Sequence, residues 1–114
     1  MEAAYRPAAM AQPDKAIPLA TRSILRLYIA GNSPSSRQAE QNLKHLRTLM
    51  KAEADHVEVI DVLADPALAE KESILATPTL CYEHSGRRRR IVGDLGDSKR
   101  ILMFLGIEMK GDAA

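Results

Sequence analysis

The segment Ile74-Leu75-Ala76-Thr77-Pro78-Thr79-Leu80 constrains the fold more than any other stretch of this chain. Proline lacks an amide donor, so a sheet accepts it only where a strand begins, at an edge or at a bulge. A threonine–proline pair opening a short apolar run predicts a strand over residues 77–82. Thr77–Pro78 is also the candidate for a cis peptide bond, an isomer that the whole fold decides and the dipeptide does not.

The elements around that strand follow from period and punctuation. Ile24, Leu25, Leu27, Tyr28, Ile29 and Ala30 form an apolar run broken only by Arg26, which predicts a strand covered on both faces, as in a parallel sheet. Gly31-Asn32 ends it. Ser33 suits a helix N-cap and Pro34 the first helical position. Ala39, Leu43, Leu46, Leu49 and Met50 then recur at helical spacing, predicting a helix that runs to about residue 54. Residues 57–63 read as a second strand. Asp65-Pro66 repeats the pairing of cap and first-turn proline before a short helix over residues 67–73. After the proline strand, Ser85-Gly86 suits a hairpin turn, residues 87–92 pair back antiparallel, and residues 93–96 turn the chain again. Asp97 or Ser98 caps a last helix carrying Ile101, Leu102 and Leu105, whose apolar surface Met103 and Phe104 extend almost all round.

The order is βαβαββα. With right-handed crossovers, it is the arrangement of an α/β, thioredoxin-like single domain over residues 22–108. Residues 1–21 open with seven alanines and three prolines in the first twenty positions and no period, which predicts a flexible tail. Residues 109–114 read as a frayed end.

Composition narrows the chemistry. The 114 residues carry a formal net charge of +1, so no global field steers nucleic acid or an anionic membrane toward the protein. Cys81 is the single cysteine, which excludes an intrachain disulfide. His45, His56 and His84 lie far apart without ligand spacing, so no metal or other cofactor is expected. The absence of a long apolar run argues against a membrane span, and the first twenty residues lack the apolar core of a secretory signal. The cytoplasm is the expected location.

Redox chemistry fails on position. Thiol–disulfide exchange needs a thiolate at an exposed, electropositive helix start, and there this chain has Ser33-Pro34-Ser35-Ser36. Cys81 falls inside the proline strand, where a small thiol serves as a hydrophobe. Asp65 and Asp97 have capping roles, and Glu70 and Glu72 diverge on their helix, so paired carboxylates for hydrolysis are not expected. The run Arg87-Arg88-Arg89-Arg90 is the strongest charge feature. No aromatic interleaves it to stack bases. It reads as a protein-binding edge, with a solvated edge that blocks aggregation as the plainer alternative.

Four blocks together resemble the KaiB family of circadian clock proteins. They are Leu27-Tyr28-Ile29-Ala30-Gly31-Asn32-Ser33-Pro34, Val59-Ile60-Asp61-Val62-Leu63 with Asp65-Pro66-Ala67-Leu68-Ala69-Glu70, residues 74–80, and Arg89-Arg90-Ile91-Val92-Gly93-Asp94-Leu95. The resemblance implies a non-enzymatic protein that binds KaiC, a ring-shaped ATPase and autokinase, and pushes it toward dephosphorylation. It also implies a switch of fold, with a resting form (dimer or tetramer) that packs the second half differently. The sensor domain of a clock histidine kinase shares the thioredoxin-like form and competes for the same surface. An adaptor acting on a histidine kinase is therefore the second reading.

Carried over by motif, His56, Val57 and Glu58 align with a KaiC-contacting surface, although His56 and Glu58 replace small and basic residues. Arg89 and Arg90 match the family's paired basic residues, while Ser73 stands where a lysine is usual. Phe104 and Gly106 occupy the region that sets the balance between folds, at positions where cyanobacterial members carry a glycine and an acid. Residues 73–108 carry short elements with weak caps, and residues 101–107 suit helix or strand. Two packings a few kcal/mol apart are what such a switch requires.

Overall fold

The computed structural model of the chain describes residues 22–111; the expected tail over residues 1–21 lies outside the described residues. The elements are β1 Ser23–Ile29, α1 Pro34–Leu49, β2 His56–Asp61, α2 Pro66–Lys71, β3 Thr79–His84, β4 Arg87–Val92 and α3 Ser98–Leu105. The sheet order is β2-β1-β3-β4. β1 runs parallel to β2 and antiparallel to β3, and β3 pairs antiparallel with β4.

Strand alternation gives the sheet two unlike faces. Leu25, Leu27, Ile29, Leu80 and Ile91 share one face, and α1 and α3 lie on it with Ala39, Leu43, Leu46, Ile101, Leu102 and Leu105. Leu25, Leu27, Leu80 and Leu102 are fully buried, and burying a leucine contributes about 1.5–3 kcal/mol. The other face carries Arg26, Glu58, Cys81, Glu83, Arg88 and Arg90. The expected cover on both faces of the first strand holds only in part: on the second face Tyr28 is buried, whereas Arg26 is half-buried among charged neighbours.

Local chemistry places most boundaries. Ser33 caps α1 by accepting from the Ser36 N–H at 3.2 Å, and Asp65 caps α2 through the Leu68 N–H. Ser85 and Gly86 both have positive φ, 55° and 78°, as a two-residue hairpin turn of the primed type requires. Asp97, not Ser98, caps α3, and Gly106 closes it at φ 77°. The last helix is thus capped at both ends, against the expectation of weak caps.

Several bounds differ from expectation for tertiary reasons. α1 ends at Leu49, because Met50 turns to an extended conformation and is buried. There it bridges Met109, while the Lys51 N–H donates to Glu108 O at 2.9 Å and the Lys110 N–H to Leu49 O at 2.7 Å. Of the end expected to fray, Met109 and Lys110 are therefore paired, and residues 112–114 lie outside the described residues. β2 stops at Asp61, whose Oδ1 accepts from the Gly31 and Leu63 N–H groups and turns the chain. α2 stops at Lys71, and Ser73 follows in the left-handed region at φ 57°. β3 starts after the proline, at Thr79, and the Thr77–Pro78 bond is cis.

Candidate protein-binding edge

β4 is an edge strand, and its alternation divides the four arginines. Arg87 and Arg89 point to the helix face, and Arg88 and Arg90 to the opposite one. Arg89 Nη1 donates to Phe104 O at 3.1 Å, and its guanidinium carbon lies 5.6 Å from the Phe104 ring centroid, within cation–π range. Arg90 is turned inward. Its Nη2 donates to Glu72 O at 2.9 Å and its Nη1 to Ser73 O at 3.1 Å, which ties the end of α2 to the edge. Arg88 pairs with Glu72 at 3.3 Å and Glu83 at 3.7 Å.

Those pairs belong to a chain of charges that crosses the whole sheet. His56 Nε2 lies 3.4 Å from Glu58 Oε2, Glu58 accepts from Arg26 Nε, and Arg26 reaches Glu83 at 3.5 Å, which leads to Arg88 and Glu72. The hydrogen bond from Arg26 holds the Glu58 carboxyl below the usual carboxylate range, and burial opposes it only in part. Sequence reasoning missed this network. Its signal was Arg26 itself: a cation inside a central strand needs acids at the cross-strand positions, and Glu58 supplies one directly opposite on β2, with Glu83 on β3 close by.

The two groups of residues that the family resemblance singles out lie on opposite edges. His56, Val57 and Glu58 are on β2 and Arg89 and Arg90 on β4, three strand spacings or about 14 Å apart. Within the first group, His56 and Glu58 share the polar face, while Val57 packs half-buried against the core. Phe104 lies beneath Arg89, and Gly106 forms the left-handed end of α3.

At the start of α1 the hydroxyls serve the backbone. Ser36, which is buried, accepts from the Ala30 N–H at 3.1 Å and donates to Ala30 O at 3.1 Å, and it also accepts from Ser33 Oγ at 2.9 Å. The only cysteine, Cys81, is buried in β3, and desolvation pushes its thiol up although Arg90 and Arg88 pull the other way. A raised thiol holds little of the reactive thiolate. Among the described residues no group of three or more His, Cys, Asp or Glu is placed to hold a metal ion, and no helix is long and apolar enough to cross a membrane.

Comparison with known proteins agrees with this architecture. Solved structures with the same fold include a mutant thioredoxin from Halobacterium salinarum, with a TM-score of 0.59 and 23% identity over 75% of this chain and 73% of that one. They also include the N-terminal domain of Synechococcus elongatus SasA, with a TM-score of 0.61 and 26% identity over 80% of this chain and 90% of that one. Curated relatives named circadian clock oscillator protein KaiB occur in Synechococcus sp. (strain CC9311) and Parasynechococcus marenigrum (strain WH8102). Each is 48% identical over 87 residues, which is 74% of this chain and 71% and 81% of the respective relatives. The family model described as the KaiB domain matches residues 26–107. With the serines at the start of α1 and the arginine edge inside that match, and the βαβαββα order spanning it, this chain belongs to the KaiB family.

Proposed function

We propose that this protein is a non-enzymatic binding protein for a KaiC-type ATPase and modulates that partner's phosphorylation state within a clock or timer. The observation that carries the reading is the KaiB match over residues 26–107 on a thioredoxin-like fold whose reactive-cysteine position is filled by Ser33 to Ser36. Ser33 caps the helix and Ser36 bonds to the Ala30 backbone, so the scaffold presents surfaces and has no thiol at this position. The candidate contacts are His56, Val57 and Glu58 on one edge and Arg89 and Arg90 on the other. A change of packing in residues 73–108, with Phe104 and Gly106 at its pivot, belongs to the same proposal, as does a resting dimer or tetramer.

Size-exclusion chromatography with light scattering, on the protein alone and after incubation with a KaiC-type hexamer and ATP, tests the reading. A nucleotide-dependent complex is expected, weakened by Arg89→Glu with Arg90→Glu. Absence of a complex in every nucleotide state would refute it. The likeness to the SasA N-terminal domain favours a second reading, an adaptor acting on a histidine kinase, for which a complex with the kinase and none with the hexamer is expected.

A further inference from the structure

β4 has an unpaired side. Positions in an antiparallel ladder alternate between pairs that exchange hydrogen bonds and pairs that do not. The Gly93 N–H donates to Pro78 O at 2.9 Å, which sets the phase of that alternation. Counting back from Gly93, the backbones of Ile91, Arg89 and Arg87 bond inward to β3, and those of Arg88, Arg90 and Val92 face away from the sheet. Such a row of outward donors and acceptors is a template for another strand.

Charge decides which strand fits. A second copy of this chain would bring its own Arg87–Arg90 run against this one, and like charges directly opposite are destabilising. Arg88 and Arg90 are already engaged, by Glu72 and Glu83 and by the carbonyls at the end of α2. On the helix face, Arg87 and Arg89 have no acidic partner among the described residues. Beside Arg89, Phe104 is 49% exposed. The edge therefore combines free backbone groups, two cations without a carboxylate partner (Arg89 bonding only to the Phe104 carbonyl) and an apolar ring on the same side.

We infer that β4 accepts an extended acidic segment of a partner protein as an added strand. Carboxylates of that segment face Arg87 and Arg89, and an apolar side chain two residues further along the same face lies on Phe104. The inference concerns how this edge recognises a chain, and it stands whether or not that chain belongs to a KaiC-type ATPase.

The test uses the full-length protein, labelled with nitrogen-15, and three blocked octapeptides. The first carries two glutamates and then two valines at alternate positions with threonine between them, so that all four share one face; the second has lysine for glutamate, and the third is the glutamate peptide with alternate backbone nitrogens methylated. Binding of the first peptide is expected to shift the amides of residues 87–92 and slow hydrogen exchange at Arg88, Arg90 and Val92. The lysine and methylated peptides are expected to bind at least tenfold more weakly, as is the glutamate peptide to Arg87→Glu with Arg89→Glu. Three results would overturn the inference. They are no binding of the glutamate peptide at millimolar concentration, equal affinity for the methylated peptide, or β4 shifts that track self-association of the protein alone.

Discussion

Arg90→Ala removes the two hydrogen bonds that hold the end of α2, at 2.9 Å to the Glu72 carbonyl and 3.1 Å to that of Ser73. A hydrogen bond with a charged partner contributes about 1.5–3 kcal/mol; with the Ser73 bond exposed to water, about that much is taken for the pair. α2 is a six-residue helix with no buried residue, so little apolar packing remains to hold it once the guanidinium is gone. At about 1.4 kcal/mol per factor of ten, the loss corresponds to local opening roughly 10–150 times more frequent. Native-state hydrogen exchange reads this directly at the amides of Ala69, Glu72 and Ile74, which donate to Asp65, Leu68 and Ala69 carbonyls. Arg89→Ala is the control, because Arg89 bonds to Phe104 O on the other face and its loss should leave those amides unchanged. Exchange within threefold of the parent protein at all three α2 amides in Arg90→Ala would refute the argument that this arginine latches the helix.

Other expectations follow from the same geometry. Ser36→Ala leaves the half-buried Ala30 N–H, now bonded to Ser36 Oγ at 3.1 Å, without that partner, and a loss of about 1–2 kcal/mol is expected in chemical denaturation. Gly31→Ala places a β-carbon 3.1 Å from Leu63 Cδ1 at φ 65°; the exposed leucine yields, so the expected cost of about 1–2 kcal/mol comes from the left-handed backbone. Because the folded state depresses the Glu58 carboxyl, its contribution is present above the unfolded value near pH 4.3 and is lost as pH falls through the lower folded value. Glu58→Gln should therefore show a shallower loss of stability below about pH 4, seen as flatter acid dependence of the denaturation midpoint. Cys81, buried with a raised thiol, should alkylate far more slowly in the native protein than in denaturant, and equal rates would place it at the surface.

The boundaries read correctly from the sequence are those that nearest neighbours decide. Ser33-Pro34, Asp65-Pro66 and Ser85-Gly86 each satisfy or relieve the backbone within a few residues, so their chemistry is complete in the local string. The end of α1 was not legible, because Met50 leaves the helix to pair with Met109, far along the chain. The separate uses of Arg89 and Arg90 were hidden for the same reason. Adjacent in sequence and alternating by rule, they find different partners only because α3 covers one face and the end of α2 overhangs the other.

By itself the sequence determined the order of strands and helices, the capped helix starts, the lone cysteine's inert place in a strand and the kinship with KaiB proteins. The tertiary structure alone decided which arginines bond to the end of α2 or to acids and which meet no carboxylate, and that Arg26 anchors a line of charges across the sheet. Period and capping act over a few residues, whereas a side chain's partner on another strand depends on register and layer order, which exist only once the sheet has closed.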